Sequence, residues 1–240
     1  MNMMQSVAAI NRRKAGAGGA PFDPMDLSPA IWLDASDSST IFNATSGGSL
    51  PADTADVLRI EDKSGNGRHF TESSAPPSRA VASVNGLDTV RIQNSEILVR
   101  TAGTFAETDM DNVFAVLQTS DANYVLLTET SGGNFLDATE ASGSAAVSGA
   151  AVTQFRVNGA NVGATRGDLF TARGSATSLL SAMGIGSQAS AFANLQLNYP
   201  FGGGFEITDG YFCELLVIPG SVGNTDRDNL ESYLMTKWGI

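Results

Sequence analysis

Thr153-Gln154-Phe155-Arg156-Val157-Asn158-Gly159-Ala160-Asn161-Val162 reads as two short extended runs joined by an Asn-Gly pair. Both central residues of the tightest hairpin turn need positive φ, which asparagine and glycine tolerate with least strain. Phe155 and Val157 alternate with Gln154 and Arg156, the period of a half-buried strand. The stretch therefore predicts a β-hairpin, and apolar runs of similar length recur around it at 57–60, 113–117, 124–127, 179–185 and 211–218. Runs of roughly four to eight residues between turn clusters favour strands over helices. No fixed period relates them, which argues against a propeller or solenoid.

Composition agrees with an all-β chain. Among 240 residues there are 26 glycines, 8 prolines, 25 serines and 19 threonines, a supply of turn formers and of small polar residues that suit exposed strands. Hydrophobic residues make up 42% and charged residues 16%, which excludes a solvated disordered chain. A chain of this length buries enough surface to need neither disulfide nor metal staple. The single cysteine, Cys213, excludes an internal disulfide and a cysteine-based metal cage.

Charge divides the chain unevenly. Residues 1–22 carry Arg12, Arg13 and Lys14 and no acid, so 23–240 hold 11 basic and 25 acidic groups, a net of −14. Such a body repels phosphate backbones, and no nucleic-acid partner is expected. No apolar run approaches the roughly 20 residues of a membrane span. The patch Val7 to Ile10 precedes the basic cluster, the reverse of a secretory signal.

Two units are expected: an arm with its Gly-rich linker at 1–20, and a domain at 21–240 that ends in a helix at 226–238. In the arm, Met3, Val7 and Ile10 fall at helical spacing ahead of Arg12, Arg13 and Lys14, and the linker 15–20 follows. The arm reads either as a frayed terminus or as a docking peptide that orders on a partner. At the other end Thr225 is positioned to cap the helix, with Asp226 and Asp228 in its first turn and Lys237 in its last. Leu230, Tyr233, Leu234 and Trp238 share one face, which predicts packing against a sheet edge or sandwich end.

Catalytic chemistry finds little local support. His69 is the one histidine, so any Ser-His-Asp arrangement depends on it, and it sits between Arg68 and Phe70 after a glycine-rich turn. A retaining glycosidase needs two carboxylates about 5 Å apart, supplied along a strand at i, i+2 or i+4. Glu61 and Asp62 are adjacent and face opposite ways, while Glu206, Asp209 and Glu214 have odd offsets between neighbours. Gly202-Gly203-Gly204 and Gly184-Ile185-Gly186 lack the features of phosphate cradles and read as turns or bulges. Asp62-Lys63-Ser64-Gly65-Asn66-Gly67 begins like a calcium loop, but serine stands at position 73 where the closing glutamate would be. The preferred reading is a tight turn, with calcium as the alternative.

Together, Leu27-Ser28-Pro29-Ala30-Ile31-Trp32-Leu33-Asp34-Ala35-Ser36-Asp37, then Asp62 to Gly67, then Asn85-Gly86 leading to Val90-Arg91-Ile92, resemble the opening of laminin-G-like, concanavalin A-like jelly-roll domains. Glu214 to Ile218, with Asp226-Arg227, Glu231 to Leu234 and Lys237 to Ile240, is similar to the terminal strand and helix of that group. The resemblance implies a sandwich of two antiparallel sheets of the kind found in bacteriophage structural proteins, bacterial surface proteins and carbohydrate-binding modules. Hydrolases of the group carry a Glu-x-Asp-x-(x)-Glu strand motif, which this sequence lacks, so a non-enzyme without cofactor or metal is expected. Trp32 and Trp238 are expected to anchor the first strand and last helix, and Tyr199 and Phe201 are the candidates for glycan or partner contact. The leading expectation is an oligomeric virion component, as capsid decoration, fibre or tail protein. Its arm would dock on other virion proteins, and its jelly roll would be displayed toward host-surface glycan. A carbohydrate-binding module of a bacterial surface or secreted protein is the alternative, and a glycan-cleaving enzyme the remote one.

Overall fold

The computed structural model describes residues 22–72, 75–100, 110–121, 123–129, 134–139, 143–146, 152–185, 195–198 and 207–240. The arm residues Met3, Val7, Ile10, Arg12, Arg13 and Lys14 lie outside this set, as do Tyr199, Phe201 and Glu206.

Two antiparallel sheets make the body. One has the order β12 (Ala160–Val162), β11 (Val152–Val157), β13 (Ser178–Ile185), β8 (Asn112–Thr119), β15 (Gly210–Ile218), β6 (Leu87–Ile92), β5 (Ser78–Val84), and its eighth strand, β1 (Ile31–Asp34), also pairs with β15. The other has seven strands in the order β10 (Asn134–Thr139), β9 (Asn123–Glu129), β14 (Leu195–Leu197), β7 (Leu98–Arg100), β4 (Phe70–Glu72), β3 (Arg59–Ile60), β2 (Ile41–Phe42). The chain is an all-β sandwich with a C-terminal helix, as its composition and turn chemistry predict. The Asn158-Gly159 hairpin joins β11 to β12 with both residues at positive φ, 50° and 76°.

Between the sheets lies one apolar core. Leu33, Val113, Ala115, Leu117, Leu215 and Val217 reach it from the eight-stranded sheet, and Ile41, Ile60, Phe70, Leu98, Leu195 and Leu197 from the seven-stranded one. A second core lies on the far side of the eight-stranded sheet, where Trp32, Phe114, Val116, Leu179, Met183, Leu216 and Ile218 meet Leu230, Leu234 and Trp238 of α2 (Asn224–Trp238). Strands β8, β13 and β15 are buried at nearly every position, so both of their faces need cover. For this reason α2 lies across the sheet's outer face and not at an edge or sandwich end, a correction to the expectation from its stripe.

Two local readings also change. The N-cap of α2 is Gly223, with no side-chain cap, and Thr225 lies within the first turn, so the helix begins at Asn224. A short helix, α1 (Arg166–Arg173), packs against β10 and was not anticipated. Its signal is present in the sequence: Thr165 and Asp168 form a reciprocal capping box.

Candidate functional site

The densest polar chemistry among the described residues lies where β1, β15, the 62–69 turn and α2 meet. Its origin is a bulge. Phe212 pairs with Leu117 and Glu214 with Val116 of β8, so Cys213 is an extra residue in β15. At the same point the other neighbour of β15 changes from β6, where Phe212 faces Val90, to β1, where Glu214 faces Asp34. The added residue shifts the alternation. Cys213 and Glu214 both lie on the helix side, while Phe212 and Leu215 remain in the core between the sheets.

Glu214 is fully buried, and both of its oxygens are occupied. Oε1 accepts from Trp32 Nε1 at 2.8 Å, and Oε2 accepts from Trp238 Nε1 at 2.7 Å and Lys237 Nζ at 2.7 Å. Lys237 Nζ also donates to Asp34 Oδ1 at 2.8 Å, and Lys63 Nζ lies 2.8 Å from both Asp34 Oδ2 and Asp37 Oδ2. The result is a line of alternating charge, Asp37, Lys63, Asp34, Lys237, Glu214, with Lys63 also seated 4.4 Å from the Trp32 ring centre.

Burial sets these carboxylates apart. It pushes Glu214 above the usual carboxylate range, helped by the charge of Asp34 and opposed by Lys237 and Trp238. Burial would raise Asp34 too, but the charge of Lys237 and hydrogen bonds from Lys237, Lys63 and Ser36 outweigh it and hold that carboxyl below its ordinary value. Two lysines serve Asp34 and one serves Glu214, which accounts for the opposite directions. For Asp37 burial is again overcome, chiefly by hydrogen bonds from Lys63 and Ser39, and its carboxyl is lowered to about 2.

The 62–69 segment is a turn organised by its own carboxylate. Asp62 Oδ1 accepts from the backbone N–H groups of Trp32 and Ser64, each at 2.9 Å. Oδ2 accepts from Ser64 Oγ at 2.8 Å and Arg68 N at 3.0 Å. His69 Nδ1 accepts from Asp62 N at 3.0 Å, so the one histidine closes this turn. Asn66 Nδ2 donates to the carbonyls of Pro29 and Ala30, which ties the turn to the residues before β1. Among the described residues no group of three or more His, Cys, Asp or Glu side chains is placed to hold a metal ion.

A second clamp holds the middle of α2. Glu231, 2% exposed, accepts from Arg156 Nε at 3.0 and 3.1 Å and from Ser181 Oγ at 2.9 Å, both on the outer face of the sheet. Toward the start of the helix Arg227 donates to Gln154 at 3.1 Å, and at its end Asn85 Nδ2 donates to the carbonyl of Lys237 at 2.9 Å.

Trp32 and Trp238 do anchor the first strand and last helix, and they do so through one shared carboxylate. Asp209 forms a two-point exposed pair with Arg91, and Glu61 pairs with Arg59. Gly184 lies inside β13 in unbroken register with β11, at φ +59°, so this position is strand and not the turn or bulge that its sequence suggests. Asp34, Asp37, Lys63 and Lys237 have no local motif; the pairing of Asp34 with Glu214, 180 positions apart, and the seating of the 62–69 turn on β1 assemble them.

No known protein family matches the chain, and no curated protein matches it significantly. A similar solved structure is described as a GH54 α-L-arabinofuranosidase soaked with a cyclic sulfate inhibitor. The two share 13% identity at a TM-score of 0.44, over 88% of this chain and 59% of that one. No functional conclusion follows from a likeness this distant. The arrangement at Asp34 and Glu214 can hold four segments together, β1, β15, the 62–69 turn and α2. Two carboxylates do converge there, but a lysine head group lies between them and indole donors complete the coordination of Glu214.

Proposed function

We propose that the chain is a non-catalytic carbohydrate-recognition module built on a jelly-roll sandwich. The observation that carries the non-catalytic half of this reading is the use made of the converging carboxylates; the resemblance of the sequence to carbohydrate-binding modules supports the other half. A glycosidase pair must leave room for a sugar and free oxygens to donate or accept a proton, whereas Lys237 and two indoles fill that space around Asp34 and Glu214. The acidic body disfavours anionic polymers and leaves neutral glycans as the fitting class of partner. Incubation with bacterial-surface polysaccharides tests it: retention of the protein with no shortening of the chains is expected. Cleavage that is lost in Glu206→Gln would replace the reading with an enzymatic one, and absence of retention would remove the recognition role.

A second reading concerns how the module is carried, and charge asymmetry favours it. A basic arm with apolar residues at helical spacing, joined by a glycine linker to a body of net charge −14, suits docking on other proteins of a particle. In this reading the protein is a virion component, oligomeric on the particle, and Arg12, Arg13 and Lys14 make the contact. Deletion of residues 1–20 should leave the thermal midpoint unchanged and abolish copurification with intact particles. A truncation that unfolds the body, or a full chain that never copurifies, counts against it.

A further inference from the structure

At one end of the eight-stranded sheet, the starts of β8 and β11, the end of β13 and the turn 220–222 before α2 enclose a cleft of about 350 Å³. Its walls are tied together by their own side chains. Asn112 Nδ2 donates to the carbonyls of Ile218 at 3.1 Å and Gly220 at 2.7 Å, and its Oδ1 accepts from Gly184 N at 3.3 Å. Asp111 Oδ2 accepts from Gly220 N at 2.6 Å. Thr153 Oγ1 donates to the carbonyl of Met183 at 2.8 Å, and a Cβ on Gly184 would fall 2.1 Å from that hydroxyl, so position 184 must stay bare backbone. A cleft fixed in this way needs little reorganisation to accept a ligand.

The lining selects a chemical class. It offers one carboxylate from Asp111, hydroxyls from Thr153 and Ser221, peptide edges at two glycines, and apolar surface from Met183 and Val222. Among the described residues neither lysine nor arginine lines it, so an anionic group would meet Asp111 without a counter-charge from them. A pyranose presents neighbouring hydroxyls that a carboxylate and hydroxyls can bond, and C–H faces that methionine and valine can cover. The volume lies at the small end of the range for ligand sites, roughly 300–1,000 Å³. We infer that this cleft binds one neutral sugar unit of a carbohydrate chain, an assignment that rests on the recognition role proposed above and gives it a place. With no aromatic platform among the described lining residues, affinity for a free monosaccharide should be weak, on the order of millimolar.

Saturation-transfer NMR with glucose, galactose, mannose and N-acetylglucosamine, each added to the full chain, tests the assignment. At least one sugar should show transfer, lost in Ser221→Trp, which fills the mouth, and weakened about tenfold in Asp111→Asn, about 1.4 kcal/mol. Asparagine keeps an acceptor for Gly220 N–H, so this second variant carries the test if the tryptophan lowers the thermal midpoint. Transfer equal in wild type and both variants places the sugar elsewhere and overturns the cleft, with recognition intact. Retention on polysaccharide without transfer from any monosaccharide does the same. Neither retention nor transfer removes both the cleft assignment and the recognition role.

Discussion

The two faces of the eight-stranded sheet are held by different physics. On the inner face apolar side chains of two sheets interdigitate, and adhesion there is non-directional and scales with buried area. On the outer face the apolar contacts of α2 are interrupted by ionic clamps at Glu214 and Glu231, whose bonds have fixed partners and geometry. An apolar face alone would let a helix slide or rotate by a turn at small cost, whereas Lys237 meets Asp34 and Glu214 in one position only. The inner face supplies adhesion, and the outer face supplies register.

The largest expected effect breaks the outer face. Glu214→Ala leaves Lys237 short of one carboxylate and both indole N–H groups without an acceptor, and should cost about 3–5 kcal/mol in urea unfolding. The chain's two tryptophans are the two indole donors, so their fluorescence should change in the same variant. A loss under about 1 kcal/mol would show that the helix docks by its apolar stripe alone.

On the inner face Leu33→Ala should cost about 3 kcal/mol through the cavity it leaves, while Leu33→Met, which conserves volume, should cost under about 1.5 kcal/mol. Glu214→Met should find no such tolerance. Equal penalties for the two methionine variants would erase the distinction between the faces. A double-mutant cycle on Arg156 and Glu231, read by chemical unfolding, should give a coupling of about 1–2 kcal/mol; additive single losses would reduce this clamp to ordinary packing.

The smallest effect is a pH dependence. The folded state holds the Asp37 carboxyl at about 2 against an ordinary 3.8, so its contribution is in place above about pH 4 and disappears as pH falls toward 2. Glu214 titrates in the opposite sense, since its raised carboxyl favours the fold at low pH and loses that advantage as pH rises through its shifted value. Asp37→Asn should remove part of the acid-dependent loss, about 1 kcal/mol or less because solvent screens this partly exposed pair. Thermal midpoints of the variant and wild type should therefore converge between pH 4 and pH 2; parallel curves would contradict the lowered carboxyl.

Much of this architecture is legible in the sequence because it is local. The Asn158-Gly159 turn, the apolar run around Val113 to Leu117 and the stripe Leu230, Leu234, Trp238 each carry their own period. Capping shows both outcomes: Thr165 and Asp168 spell a capping box for α1, whereas Thr225 lies two residues too late to cap α2. The site at Glu214 was hidden for a physical reason. Its parity depends on the bulge at Cys213, which has no sequence mark, and its partners come from strand pairing between distant segments. Odd offsets among Glu206, Asp209 and Glu214 describe an unbroken strand, and the strand is broken one residue before Glu214.

Phe22, the first described residue, has its ring 6.2 Å from that of Tyr233 on α2, so the chain enters the body beside its last helix. From there β1 runs along β15 through four paired positions, and Asp34 at its far end is gripped by Lys237. A tether attached ahead of residue 22 would therefore pull on a strand pinned at both ends, and a pull along its axis would load four ladder positions together. Tension would pass directly into β15, an interior strand of the larger sheet, and would enter it at Val217, next to the 220–222 turn that walls the cleft.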